Sequence, residues 1–231
     1  MKITSFSKKG IYHSQSNTEN QDAVCYAEEN GACVITLADG VSECSESKRG
    51  AETASKALTN LLIDKGSYLL QFEKREIASM TLSHIREELD DHAAHENKTI
   101  NDYSSTIAGV LFDETKKTLM TLNLGDGMII AVKKGCCKIL SMPSDSSSGC
   151  CVTTTNNAEN STIVNVDNNS DWESVIIFSD GAWKLLFERN KLKAEIISMF
   201  ENQRFDHLKQ YMNRQNSFDD SSFIALSINK P

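Results

Sequence analysis

The chain has 231 residues, 39% of them hydrophobic and 24% charged, with only two prolines, which fits one sizeable domain (residues 1–231) with a packed core better than two. A formal net charge of −8 without any basic run argues against nucleic acid as a partner. No apolar run reaches the ~18 residues of a membrane span, and the opening MKITSFSKKGIYHS lacks a signal-peptide core; seven cysteines, an odd number without Cys-x-x-Cys spacing, speak for free thiols in a reducing cytoplasm rather than for disulfides or a zinc cage.

In chain order, residues 2–7 and 22–27 read as short strands and Ala32–Ala38 as a buried one. From Ser47 the spacing turns helical, with Ala51, Ala54, Leu58, Leu61 and Leu62 on one stripe, and a second helix is expected from about Leu70 to His95 along Ile77, Thr81, Ile85 and Leu89. TIAGVLFD, TLMTLNLGD, MIIAVKKG and CCKIL then follow as strands at hairpin-like spacing. The Ser-, Thr- and Asn-rich stretch that follows reads as a variable surface segment, about residues 142–170. A strand, SVIIFSD, helical sequence from Trp183 to about Gln215, and a last strand, SFIALSI, complete the chain. Strands and helices are grouped rather than alternating, which predicts an α+β fold of antiparallel sheets with outer helices.

Three apolar runs end on Asp-Gly: VITLADG, LNLGDG and VIIFSDG, placing Asp39, Asp126 and Asp180 where strands run out. Asp22 and the pair Asp219-Asp220 also border strands. Asp-Gly is a preferred hairpin turn, so Asp126 is open to that reading. Asp39 and Asp180 follow long apolar runs, where an unpaired carboxylate is costly to desolvate. Clustered carboxylates repel one another unless cations sit between them, and hard oxygen ligands suit Mg²⁺ or Mn²⁺. With five histidines and no ligand-like pair, zinc is disfavoured.

ENQDAV (19–24), ADGVSECSESKRGAETAS (38–55), LGDGM (124–128), SDGAW (179–183) and DDSSF (219–223) occur in the order and roughly at the spacing of the metal-dependent protein Ser/Thr phosphatases of type 2C. The chain resembles compact bacterial members of that family from Gly10 to Ile228. The resemblance implies a four-layer α-β-β-α sandwich of two antiparallel sheets, with two Mn²⁺ or Mg²⁺ ions at one end. It implies that Asp39 bridges both ions, that the Gly40 carbonyl binds the first, and that Asp180 and Asp219 bind the second. Asp22 then sits just outside the ions, with Gln21 and Asn20 nearby, and Asp220 orders the turn. The function implied is hydrolysis of phosphoserine and phosphothreonine by a metal-activated water, on phosphorylated protein substrates and opposite a cognate Ser/Thr kinase, by a cytoplasmic monomer. A catalytically silent relative that binds a partner, or a phosphatase of small phosphorylated molecules, are the alternatives.

The chain departs from the family pattern in three places. Where many relatives carry an upstream Arg for the substrate phosphate, the candidate is His13, a weaker clamp, or else a surface residue beside a strand. Some relatives have a leaving-group acid, His, directly after the second motif's Asp-Gly; here Val41 stands there, followed by Ser42-Glu43 in place of glycines. A third, weaker cation that many bacterial relatives hold through Asp126 would need an acidic residue where this chain has Lys184. At i,i+4 on a helical turn, Lys184 could instead pair with Asp180.

Overall fold

In a computed structural model, residues 1–143, 150–189 and 191–228 are described; the part of the expected variable segment from 144 to 149 lies outside them. Twelve strands and six α-helices follow in the order β1 (Lys2–Lys8), α1 (Ile11–Gln15), β2 (Asp22–Glu29), β3 (Ala32–Asp39), α2 (Ser47–Leu69), α3 (Lys74–Glu96), β4 (Ile107–Asp113), β5 (Thr118–Leu124), β6 (Met128–Lys133), β7 (Cys136–Ser141), β8 (Ile163–Asp167), β9 (Ser174–Phe178), α4 (Asp180–Leu186), β10 (Phe187–Glu188), β11 (Lys191–Leu192), α5 (Ala194–Glu201), α6 (Phe205–Arg214) and β12 (Ser221–Ser227). They build two antiparallel five-stranded sheets, β1-β12-β9-β6-β7 and β2-β3-β4-β5-β8.

The central strands β3, β4, β5, β6, β9 and β12 are buried almost throughout because both faces of the sheets are covered there. Successive residues point to opposite faces, so a central strand serves two cores. In β3, Ile35 and Leu37 enter the core between the sheets while Val34 and Ala38 face α2 and α3. In β9, Val175 and Ile177 enter that same inner core, and Ile176 and Phe178 pack on α5 and α6 with Phe200, Leu208 and Met212. The result is the expected α-β-β-α sandwich. No helix among the described residues is long and apolar enough to cross a membrane.

Five features differ from the sequence reading. The hairpin-like succession of strands breaks between β5 and β6: they lie in different sheets, and Gly125-Asp126-Gly127 crosses from one to the other. Asp126 therefore does not turn a hairpin. The expected helix from Trp183 to Gln215 is three helices and a two-stranded ribbon: Phe187 turns to extended backbone after α4, Arg189 takes a left-handed angle (φ 50°) between β10 and β11, and Gln203 takes another (φ 50°) between α5 and α6. The second helix starts at Lys74 rather than Leu70, set by a capping box between Glu73 and Glu76. Finally, β8 lies inside the stretch expected to be surface loop, pairing along β5 from Leu119↔Asp167 to Asn123↔Ile163; the short helix α1 was also not anticipated.

Ile177 sits opposite Ile129 on one side and Ile224 on the other, and all three are fully buried in the inner core. Truncating the central one leaves a cavity both sheets must line. Ile177→Ala is expected to cost about 2–5 kcal/mol of stability, read as a lowered midpoint in urea unfolding at unchanged slope.

Candidate metal centre

One end of the sandwich collects the ends of strands from both sheets. β3 finishes on Asp39, β9 finishes one residue before Ser179-Asp180, Asp219-Asp220 lead into β12, and Asp126 lies on the crossover before β6. Asp39, Asp126, Asp180 and Asp219 line a cleft of about 240 Å³ together with Gly40, Val41, Ser42, Glu43, Thr106, Cys150 and Val152.

Each carboxylate is held by identifiable backbone contacts. Thr106 clamps Asp39 twice: its amide donates to the Asp39 carbonyl (2.8 Å) and its hydroxyl accepts from the Asp39 amide (3.1 Å). Gly40 lies against the first turn of α2, where a Cβ would come within 2.4 Å of the Ser47 carbonyl oxygen. Only glycine lets the chain pass there. Gly181 is under the same constraint, 2.1 Å from the Asp220 carbonyl oxygen. Trp183 donates its indole N–H to the Asp126 carbonyl (2.9 Å), tying the crossover to α4.

Behind the cleft, Asp22 is directly opposite Asp39 in the β2–β3 register and is 2% exposed. Ser179 donates its hydroxyl to Asp22 Oδ2 (2.9 Å), and Ser222 N donates to Ser179 Oγ (2.9 Å). Burial, opposed by hydrogen bonds from Ser222 and Ser179 and reinforced by Asp220 and Asp180, pushes Asp22 up to about 7. Asp39 is raised well above the usual carboxylate range, by burial first and then by Asp22, Asp180, Asp219 and Asp126. Asp126 and Asp219 are raised too, each by burial and then by Asp180. Lys184 Nζ donates to Asp180 Oδ2 at 2.5 Å, the i,i+4 contact of α4; burial lowers its pKa, the bond to Asp180 raises it, and the net shift is upward.

The residues fit divalent cations. The cleft carries hard oxygen donors in excess of its cations. Two buried carboxylate oxygens, Asp22 Oδ1 and Asp180 Oδ1, have no hydrogen-bond partner among the described residues. Buried carboxylate oxygens are rarely left bare in this way without an ion or water to meet them.

Not every expected site residue faces the cleft. Asn20 is spent on structure: its Oδ1 accepts from the Asp22 amide (2.9 Å) and its Nδ2 donates to Ser7 Oγ (2.8 Å). Gln21 is buried, its amide donating to Asp220 Oδ2 (2.6 Å). His13 is neither a surface residue nor open to a phosphate. It is 2% exposed, with Nδ1 on Asp220 Oδ2 (2.8 Å) and Nε2 on Ser42 Oγ (3.2 Å). The tightest group of potential ligand atoms among the described residues is His13, Asp219 and Asp220, within 4.8 Å of one another. His13 and Asp220 are already bonded to each other there, and Asp220 also accepts from the Gly10 amide (2.7 Å), so that group is a hydrogen-bonded knot that closes the N-terminus onto β12. Sequence reasoning missed Thr106, Ser179 and Trp183 as supports; the last two were in view, flanking Asp180.

A carboxyl that ionises less readily folded than unfolded withdraws stability as pH rises between its two pKa values. In chelator, the melting temperature is expected to fall as pH rises from near Asp22's ordinary 3.8 toward about 7. Added Mn²⁺ or Mg²⁺ should reverse the fall. A melting temperature that rises through that window in chelator contradicts the arrangement.

Comparison with known proteins bears on the fold and the family. Among solved structures, a bacterial serine phosphatase superposes with a TM-score of 0.71 at 14% identity over 100% of this chain and 99% of that one. The serine/threonine phosphatase of S. agalactiae gives 0.70 at 16% identity over 99% of both chains, and Stp1 from Staphylococcus aureus gives 0.68 at 16% identity over 100% and 96%. At such identities the likeness is one of fold. No curated protein matches the sequence. The family profile described as protein phosphatase 2C matches residues 9–215, and the chain belongs to that family of protein serine/threonine phosphatases.

Proposed function

We propose that the protein hydrolyses phosphoserine and phosphothreonine in phosphorylated proteins, using two divalent cations, Mn²⁺ or Mg²⁺, held by Asp39, the Gly40 carbonyl, Asp180 and Asp219. The observation that carries this reading is the convergence of four aspartates from four separate segments on one cleft, with bare carboxylate oxygens behind them. Cations bound there supply Lewis-acid polarisation of a phosphoryl oxygen and acidify a water for in-line attack. Asp39 and Asp180 fix the position of that charge, because the clamp of Thr106 and the first turn of α4 leave their backbones little freedom. Asp22, held by Ser179, offers Oδ1 to whatever lies beyond Asp39. Val41 and Val152 line the same cleft and give it apolar wall.

A silent binding protein has no use for Asp22 and Asp39 face to face at a strand end, since a neutral residue at either position would be more stable. The direct test is Mn²⁺-dependent phosphate release from p-nitrophenyl phosphate and then from a phosphothreonine peptide. Activity on the first and not on the second would point to small phosphorylated molecules.

Asp39→Asn should drop turnover below about a tenth of wild type at saturating Mn²⁺, a barrier increase of at least ~1.4 kcal/mol. It should also raise the melting temperature of the metal-free protein, because one of two carboxyls that face each other across β2 and β3 is gone. Retained turnover would remove Asp39 from the centre.

Lys184 bears on the number of cations. Its ammonium occupies the flank of Asp180 where a further acidic ligand would stand. Calorimetric titration with Mn²⁺ is expected to show two sites in the wild type and a third, millimolar one in Lys184→Asp. Three sites in the wild type would contradict the assignment.

A further inference from the structure

Ser42, His13 and Asp220 form a hydrogen-bonded chain that runs from the cleft into the protein. Ser42 is exposed and lines the cleft beside Asp39 and Gly40. Its Oγ is 3.2 Å from His13 Nε2, and His13 Nδ1 is 2.8 Å from Asp220 Oδ2. His13 and Asp220 are 2% and 1% exposed. Asp220 takes two further bonds, from the amides of Gly10 (2.7 Å) and Gln21 (2.6 Å). With these donors turned toward it, the carboxylate is an acceptor, so Nδ1 carries a proton whatever the state of the ring. The other ring nitrogen, Nε2, faces Ser42. A hydroxyl, an imidazole and a buried carboxylate in that order are the parts that elsewhere move a proton to or from a reacting oxygen.

Resting on the phosphatase reading above, we propose that Ser42 delivers the proton to the departing seryl or threonyl oxygen, relayed from His13 and held in line by Asp220. The attacking water forms the new P–O bond and releases a proton to solvent. The bond to the leaving oxygen breaks with its electron pair on that oxygen, which takes the Ser42 hydroxyl proton. Ser42 Oγ takes the proton from His13 Nε2 in its place. The ring is left neutral with Nδ1–H still on Asp220, and solvent returns a proton to Nε2. Ser42 is the catalytic residue of this set; His13 and Asp220 act through it.

The reading is tested by leaving-group dependence, which a merely structural contact would not alter. An alkoxide leaves poorly unless protonated, whereas p-nitrophenolate leaves readily without help. Ser42→Ala is expected to lower kcat on a phosphoserine peptide at least about tenfold further than on p-nitrophenyl phosphate, and to steepen the fall of kcat with leaving-group pKa across aryl phosphates. Ser42→Thr, which keeps the hydroxyl, should return the ratio of the two substrates toward wild type. Equal losses on both substrates, or an unchanged ratio in Ser42→Ala, overturn the relay and leave the phosphatase reading standing. A wild type inert on both substrates with Mn²⁺ present overturns that reading, and the relay with it.

Discussion

Asp22 and Asp39 face each other across two adjacent antiparallel strands, Asp22 buried and Asp39 partly exposed at the cleft. Directly opposed residues in an antiparallel pair lie with Cβ atoms about 5 Å apart, and like charges there are destabilising. The chain cannot slide out of the conflict. A slip of one residue would send Val34 and Ala38 into the inner core and Ile35 and Leu37 toward the helices, exchanging the two apolar sets that fix the register. The apolar patterning of β3 thus forces an electrostatic cost onto its last residue, and the rest of the cleft is arranged around that cost. Protonation relieves it, and a bound cation would do the same.

The four-layer frame explains why the acidic residues meet. Antiparallel sheets return alternate strand ends to the same side, so β9 ends, β12 begins and β6 begins together at one rim, with Phe178 level with both Phe223 and Met128. The second sheet brings Asp39 and Asp22 to that rim. Ser179 bridges them, linked to Ser222 of β12 by two backbone-directed bonds and to Asp22 of the facing sheet by its hydroxyl. The rigidity of the site is the rigidity of the inner core, since each aspartate lies within two residues of a strand packed into it.

Much of this was legible in the chain. Apolar runs of five to eight residues marked the strands, their Asp-Gly endings marked the rim, and the i,i+4 step from Asp180 to Lys184 marked the ion pair that α4 makes. What stayed hidden has physical causes. LGDGM carries the residues of a hairpin turn, and only pairing with β9 rather than with β5 decides that it crosses between sheets. The turns between β10 and β11 and between α5 and α6 fall at Arg189 and Gln203, residue types without preference for left-handed backbone, so composition does not announce them. β8 is short and bears Asn165 and Asp167 among its apolar residues; its identity comes from β5 alongside. His13 read as a phosphate clamp or a surface group because nothing local reveals that Asp220, from the far end of the chain, pairs with its ring.

Asp219 and Asp220 show most sharply where sequence stops. They are the same residue type one position apart, yet they face opposite fates. Asp220 receives three donors, from Gly10, Gln21 and His13, on a side chain 1% exposed, so it is a charge already matched within the protein. Among the described residues Asp219 accepts only the amide of its own neighbour, at 2.9 Å, and it lines the cleft. A matched carboxylate has no electrostatic reason to recruit a cation; an unmatched one among others does. The same test separates Asp22 and Asp180, each with a bare buried oxygen, from Asp113, whose Oδ1 closes its own turn on Thr115 and Lys116. Hydrogen-bond donors thus separate acidic residues spent on structure, Asp113 and Asp220, from those left with an unmatched oxygen among the described residues, Asp22 and Asp180.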